Sequence, residues 1–369
     1  MAYWYRGFAA FVEATASERH AELKERTVIS ELAIAYLILG GVGAGCIAVC
    51  SLLDLVVERE RFGDADCNQG PAVCPGARMI DYSFALGFAV LGAGASCLIF
   101  DLGRLDRMIS LFVHPSLSWM TFGVYSIATL LVLGCFLALV RLLYLPWIKR
   151  AAVVACEALA IVFAFAVMVY TGLLLGTLNG VALWTSFWLP ALFVASSLSG
   201  GIALVVVCGV FVEKDANVMS TLHLLAICDI VVILAEAIIA ALFVASIVSS
   251  DNPGAVAGSM RLTEGPQALL WWIGFIGFGM VIPVLIEVIF GINKTADSDM
   301  LSRVFAIASA FVLIGVICMR IGVVDAGEQR ELELQEVSAA LELQDGSHAL
   351  AEPISFSKKG DFDETEKTS

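Results

Sequence analysis

The chain has 369 residues, 60% of them hydrophobic and 15% charged, with a formal net charge of −14 and a mean hydropathy of +0.90. Soluble domains carry about 25% charged residues, so this composition excludes a water-soluble enzyme and reads as a polytopic membrane protein. The acidity belongs mainly to a tail, because residues 325–369 hold twelve acids against Arg330, Lys358, Lys359 and Lys367.

Residues 1–30 lack the basic end, apolar core and A-x-A site of a cleaved signal. Their aromatic residues Tyr3, Trp4, Tyr5, Phe8 and Phe11, followed by a charged stretch, fit an interfacial helix or a docking segment for a partner. The first span is expected over 33–57 and carries Gly40, Gly41, Gly43 and Gly45. That spacing leaves a flat strip on which a neighbouring helix or a flat ligand can approach the backbone. A polar loop with Cys67 and Cys74 leads to span two, about 80–100, which stops at Asp101-Leu102-Gly103-Arg104. Span three follows Ser116-Leu117-Ser118-Trp119 and covers about 121–144, and span four about 151–178. Spans five to eight are expected near 189–211, 218–248, 269–292 and 301–324. The expected fold is therefore an all-α integral membrane protein of eight transmembrane helices in two four-helix bundles. Its organisation is an N-terminal segment 1–30, a membrane domain 31–324 and an acidic, disordered tail 325–369.

An even number of spans places both termini on one side. The loops after spans one, three, five and seven hold Arg59, Arg61, Arg78, Arg141, Lys149, Arg150, Lys214, Lys294 and Arg303, against Arg104, Arg107 and Arg261 in the other set. By the positive-inside bias both termini face the outer side of the cell membrane. A faint repeat supports a four-plus-four arrangement: at an offset of 155, Gly45, Ile47, Ala48, Val57 and Glu58 fall on Gly200, Ile202, Ala203, Val212 and Glu213. The repeat matches span one to span five, and Gly200 and Gly201 with Ser196, Ser197 and Ser199 echo the first glycine strip.

Of four histidines only His223 lies in a span, so a haem held by two histidines is not expected. None of the ten cysteines forms a cluster-type run, and no phosphate-binding loop is present. Ionisable residues within spans are costly and are therefore functional candidates. Toward the outer side lie Asp101, Arg104, Tyr170 and Arg320; deeper lie Glu157, Asp229 and Glu236, the last two about two turns apart on one helix. An outer polar pocket with carboxylates leading inward suits a quinol, which releases two protons with two electrons. The same residues equally suit structural ion pairs and interhelical hydrogen bonds. The tryptophans Trp119, Trp184, Trp188, Trp271 and Trp272 read as an interfacial belt, with Trp184 and Trp188 placed to border a lipid-like ligand.

Leu39-Gly40-Gly41-Val42-Gly43-Ala44-Gly45, Asp101-Leu102-Gly103-Arg104, Ser116-Leu117-Ser118-Trp119, Tyr170-Thr171-Gly172 and Trp188-Leu189-Pro190, in this order, resemble the NrfD/PsrC-type membrane subunits of the polysulfide reductase family. The sequence departs from that pattern at Leu105, where the family often has proline, and at Met120, where a small residue is usual. The resemblance implies a haem-free membrane anchor that binds menaquinone or another exchangeable quinone near the outer face. It also implies an iron-sulfur, ferredoxin-like partner that holds the clusters, and a molybdopterin catalytic subunit behind it. The quinone-site residues so implied are Asp101, Arg104 and Tyr170; Trp119 and Trp184 join them as bordering residues, with Glu157, Asp229 and Glu236 as a proton path. No resident metal and no nucleic acid are expected. The competing reading is a secondary transporter or proton-conducting subunit, since repeats and mid-membrane acids occur there too.

Overall fold

The computed structural model describes residues 30–58, 75–102, 119–143, 148–177, 181–213, 216–250, 252–292 and 298–350. Among them every regular element is helical: α1 (Glu31–Leu53), α2 (Pro75–Leu102), α3 (Trp119–Leu142), α4 (Arg150–Gly176), α5 (Trp188–Val210), α6 (Ala216–Val248), α7 (Pro253–Thr263), α8 (Ile282–Ile292) and α9 (Ser298–Leu350). A π-helical turn, Asp54–Glu58, extends α1, and a longer π-helical stretch, Leu269–Val281, runs into α8. Eight segments are long and apolar enough to cross a bilayer, and they fall on the eight expected spans. Residues 1–29, Cys67, Cys74, Arg104 and the residues beyond Leu350 lie outside the described ones.

The helix ends have identifiable chemistry. Ser30 caps α1, its hydroxyl accepting from the Ala33 N–H at 3.1 Å. Asn252 caps α7 in the same way, accepting from the Gly254 N–H at 3.0 Å, with Pro253 in the first turn where its missing donor is harmless. The last helix does not stop near Val324. It continues without interruption to Leu350, past the end of its apolar span at Gly327.

Spans one and five are the most buried of the eight. Helix α1 packs against α2, α4 and α5, while α5 also meets α6 and α9. Small residues make these approaches possible. A Cβ on Gly43 would stand 2.6 Å from the backbone nitrogen of Leu91, and one on Gly94 2.7 Å from the nitrogen of Gly40. On the other side of α1, a Cβ on Gly45 would collide with the Ser197 carbonyl, and one on Gly201 with the backbone of Gly45. The glycine strip therefore serves two neighbours, Gly40 and Gly43 toward α2 and Gly41 and Gly45 toward α5, where van der Waals packing holds helices that lipid would otherwise separate. Gly200 is filled against Val42 of α1 and Val316 of α9.

Candidate functional site

Polar side chains collect at three levels, described from the terminal face, where α1 begins and the apolar part of α9 ends, toward the opposite face.

At the terminal face two tyrosines are buried between the first four spans. Tyr170 of α4 lies against Gly123 of α3, where any Cβ would overlap its ring, and Tyr36 of α1 lies along Gly40, where a Cβ would stand 2.8 Å from its ring. The two phenols are within electrostatic reach of each other. The Tyr36 hydroxyl is buried with no hydrogen-bond partner among the described residues. A buried orphan hydroxyl costs about 1–3 kcal/mol unless a water or a ligand satisfies it. Asp101, at the end of α2 and exposed, accepts the hydroxyl hydrogen of Ser30, tying the α2 terminus to the α1 cap. Phenols and a carboxylate on one face supply both donors and acceptors for the oxygens of a small carrier.

The tryptophans of this face separate into two kinds. Trp119 is 59% exposed on the rim. Trp184, expected in the belt, is 1% exposed: its Nε1 donates to the Val323 carbonyl at 3.1 Å, and its ring fills the place a Cβ on Gly327 would need. It locks the short 3₁₀ turn Ala182–Thr185 to α9.

At mid-depth Arg320 is wholly buried rather than at the boundary where the sequence places it, because Ser197 and Phe193 of α5 and the notch at Gly41 of α1 enclose its guanidinium. Its guanidinium donates to Ser197 at 2.7 Å and lies 5.3 Å above the Phe193 ring. It reaches the notch left by Gly41, where a Cβ would stand 2.6 Å from the guanidinium. Glu236 lies beside Ser196 and within reach of Arg320 and Asp229. Asp229 accepts from Ser199 at 3.1 Å and adjoins Glu287 of α8. Arg320, Glu236, Asp229 and Glu287 thus form a buried polar line along α5, α6, α8 and α9.

At the opposite face Arg141 of α3 is the hub of a second cluster. It pairs with Asp54, lies 3.2 Å from Asp81 and 3.3 Å from Glu157, and sits 5.2 Å above the Phe84 ring. Arg150 adds a contact to Asp54 at 3.4 Å. This network joins α2, α3, α4 and the end of α1. Glu157, grouped by depth with Asp229 and Glu236, belongs to this cluster and not to the line through α6. Among the described residues no group of His, Cys, Asp and Glu is arranged to hold a metal ion.

Three participants escape the sequence reading of the site. Tyr36 is overlooked beside the glycines it packs on. Arg141 counts there as a loop cation, although its position inside the apolar end of span three with acids on three neighbouring spans is a usable signal. Glu287 is absent from the candidates that the sequence singles out.

Eight apolar spans, glycine-mediated close packing and buried ionisable groups define a polytopic membrane protein with internal polar chemistry. The protein belongs to the polysulphide reductase NrfD family, whose profile it matches over residues 21–330. It is similar to one of the chains of the polysulfide reductase of Wolinella succinogenes, 27% identical over 320 residues that cover 82% of this sequence and 95% of that one. It is also similar to protein NrfD of Escherichia coli K12, 24% identical over 316 residues, 79% of this sequence and 92% of that protein.

Proposed function

We propose that this protein is the quinone-reactive membrane subunit of an oxidoreductase complex, which exchanges the electrons of menaquinol or another quinol with an iron-sulfur partner subunit. The observation that carries this reading is the buried pair Tyr36 and Tyr170, with the Tyr36 hydroxyl unpartnered among the described residues and Asp101 on the same face. A quinone ring oxygen is the kind of small acceptor that such a hydroxyl lacks. Arg104, the cation three residues beyond Asp101 in the sequence, is assigned to the same site on its sequence position alone. Family membership, and a relative that is itself one component of a polysulfide reductase, support further subunits around this one. Those subunits are an iron-sulfur, ferredoxin-like protein and a molybdopterin catalytic subunit.

The loop-charge asymmetry supports the cell membrane as the location, with the terminal face outside. Oxidation of one quinol releases two electrons and two protons. Electrons leave to the partner's clusters, while Tyr170 and Asp101 hold the ring oxygens and accept or pass protons at their own oxygens. Asp229 and Glu236, joined by Glu287, form a proton path through the second half of the protein, and Glu157 serves the first half.

The test is quinol turnover. Arg104→Ala and Tyr170→Phe are expected to impair it while membrane insertion stays intact, and unchanged quinol kinetics in both would overturn the assignment. A second reading, a proton-conducting subunit or secondary transporter, is favoured by the π-helical stretch of span seven running into the helix that carries Glu287, since π-helical turns often mark functional sites. Proton flux in vesicles containing this protein without a redox partner would support that reading.

A further inference from the structure

Helices α4 and α6 both pack on α5 and hardly meet each other. Between them, on the lipid-facing side, lies an apolar groove of about 450 Å³ floored by Ala191, Ala195 and Leu198 of α5 and flanked by Phe165 of α4 and Ala235 of α6. Along α5 it runs from Phe187 to Leu198. At 1.5 Å per residue that is about 16 Å, roughly half the hydrocarbon thickness. At its terminal-face end a second pocket of about 320 Å³ opens, lined by Thr185, Ser186, Trp188, Ser246 and Ser250. Phe187, 84% exposed, belongs to both and stands at the junction. The Ser186 and Ser246 hydroxyls lie 3.2 Å apart.

This pairing has the shape of an amphiphile: a hydrogen-bonding head at the interface and a tail directed inward along a bilayer leaflet. The lining decides which amphiphile. Among the described residues no lysine, arginine, aspartate or glutamate lines either part, so a phosphate would find no counter-charge there. Ser246 donates to the Phe243 carbonyl at 2.8 Å and Ser186 then donates to Ser246, so a neutral quinol ring would find lone pairs on Ser186, Ser246 and Ser250 for its own hydroxyls, and the Ser250 hydroxyl as a donor. We propose that this groove is a second quinone station, holding the isoprenoid tail along α5 and the neutral ring among Ser186, Ser246 and Ser250. It is separate from the tyrosine pair, which lies among the first four spans. The proposal rests on the quinone reading above and adds to it a membrane-facing holding place through which the pool exchanges.

The experiment uses a photoreactive menaquinone analogue in native membranes, with labelled peptides located by mass spectrometry. Saturable adducts are expected in 187–198 and 232–250, displaced by excess menaquinone and not by phosphatidylethanolamine. Ala235→Trp, at an exposed position that tolerates bulk, is expected to lower these adducts about tenfold, the loss of burial of about two methylenes, and to leave labelling near Tyr36 and Tyr170 unchanged. Labelling confined to the tyrosine pair would overturn this inference and leave the proposed function standing. Displacement by phospholipid would overturn it by showing an ordinary lipid seat. Absence of saturable labelling anywhere, with no quinol oxidation, would overturn both.

Discussion

Replacing Arg141 by Gln tests the account of the opposite-face cluster most sharply. The guanidinium pairs with Asp54 and stands 3.2 and 3.3 Å from carboxylate oxygens of Asp81 and Glu157. At an effective dielectric near 20, each of the two longer contacts carries about 5 kcal/mol of attraction. Mutual repulsion of three carboxylates and their desolvation cancel most of that sum. What remains is the cost of stranding buried acids, about 3–5 kcal/mol. Arg150 softens this at Asp54, from a side chain 56% exposed. For a protein of this size the loss corresponds to about 4–6 °C in unfolding temperature, read by fluorescence or scanning calorimetry of the detergent-solubilised protein. Arg141→Lys, which keeps the charge and loses the planar fork, should fall between the two. A shift under about 2 °C for Arg141→Gln would refute the hub role, because removing a guanidinium that pairs with buried carboxylates in a packed interior cannot be that cheap.

The remaining predictions concern the tyrosine pair and the packing of α1, α5 and α9. Tyr36→Phe removes the orphan hydroxyl and is expected to leave stability within about 1 kcal/mol of the original while weakening quinol turnover; unchanged turnover, measured with a soluble quinol analogue, would detach Tyr36 from the site. Gly45→Leu forces α1 away from Ser197 and should destabilise by about 1–3 kcal/mol or block folding, whereas Gly92→Ala, with open space around it, should be neutral or stabilising by up to about 1 kcal/mol. Equal thermal shifts in the two glycine variants would contradict the close-packing argument. Trp184→Phe keeps most of the ring and loses the bond to Val323, a cost of about 1 kcal/mol visible as increased proteolysis at the base of the extended α9.

The spans are legible in the sequence because twenty or so apolar residues in a row have no other stable home, and the hydropathy that marks them does not depend on which neighbour they meet. The glycine positions are equally legible as places of close approach. Their division between two partner helices is not, because periodicity on one helix does not say what packs there. Arg320 is more enclosed than the sequence suggests: the residues turn polar at Asp325, which reads as the end of a helix beside an interface, yet Ser197, the Phe193 ring and the notch at Gly41 hold the guanidinium inside. Glu157 shares a depth with Asp229 and Glu236 in sequence terms but sits on α4, whose polar side meets Arg141 and not α6. Depth follows from residue counting; azimuth follows from tertiary packing. Trp184 shows the same limit, since a belt residue and a buried strut look alike in a string of letters.

The most direct test of the central claim is quinol-driven reduction of iron-sulfur clusters in the complex purified from native membranes in mild detergent. Iron and acid-labile sulfide are expected to accompany this protein, and added menaquinol to reduce those clusters to an extent that Tyr170→Phe diminishes. Clusters that dithionite reduces and quinol leaves oxidised, in an intact complex, would contradict it.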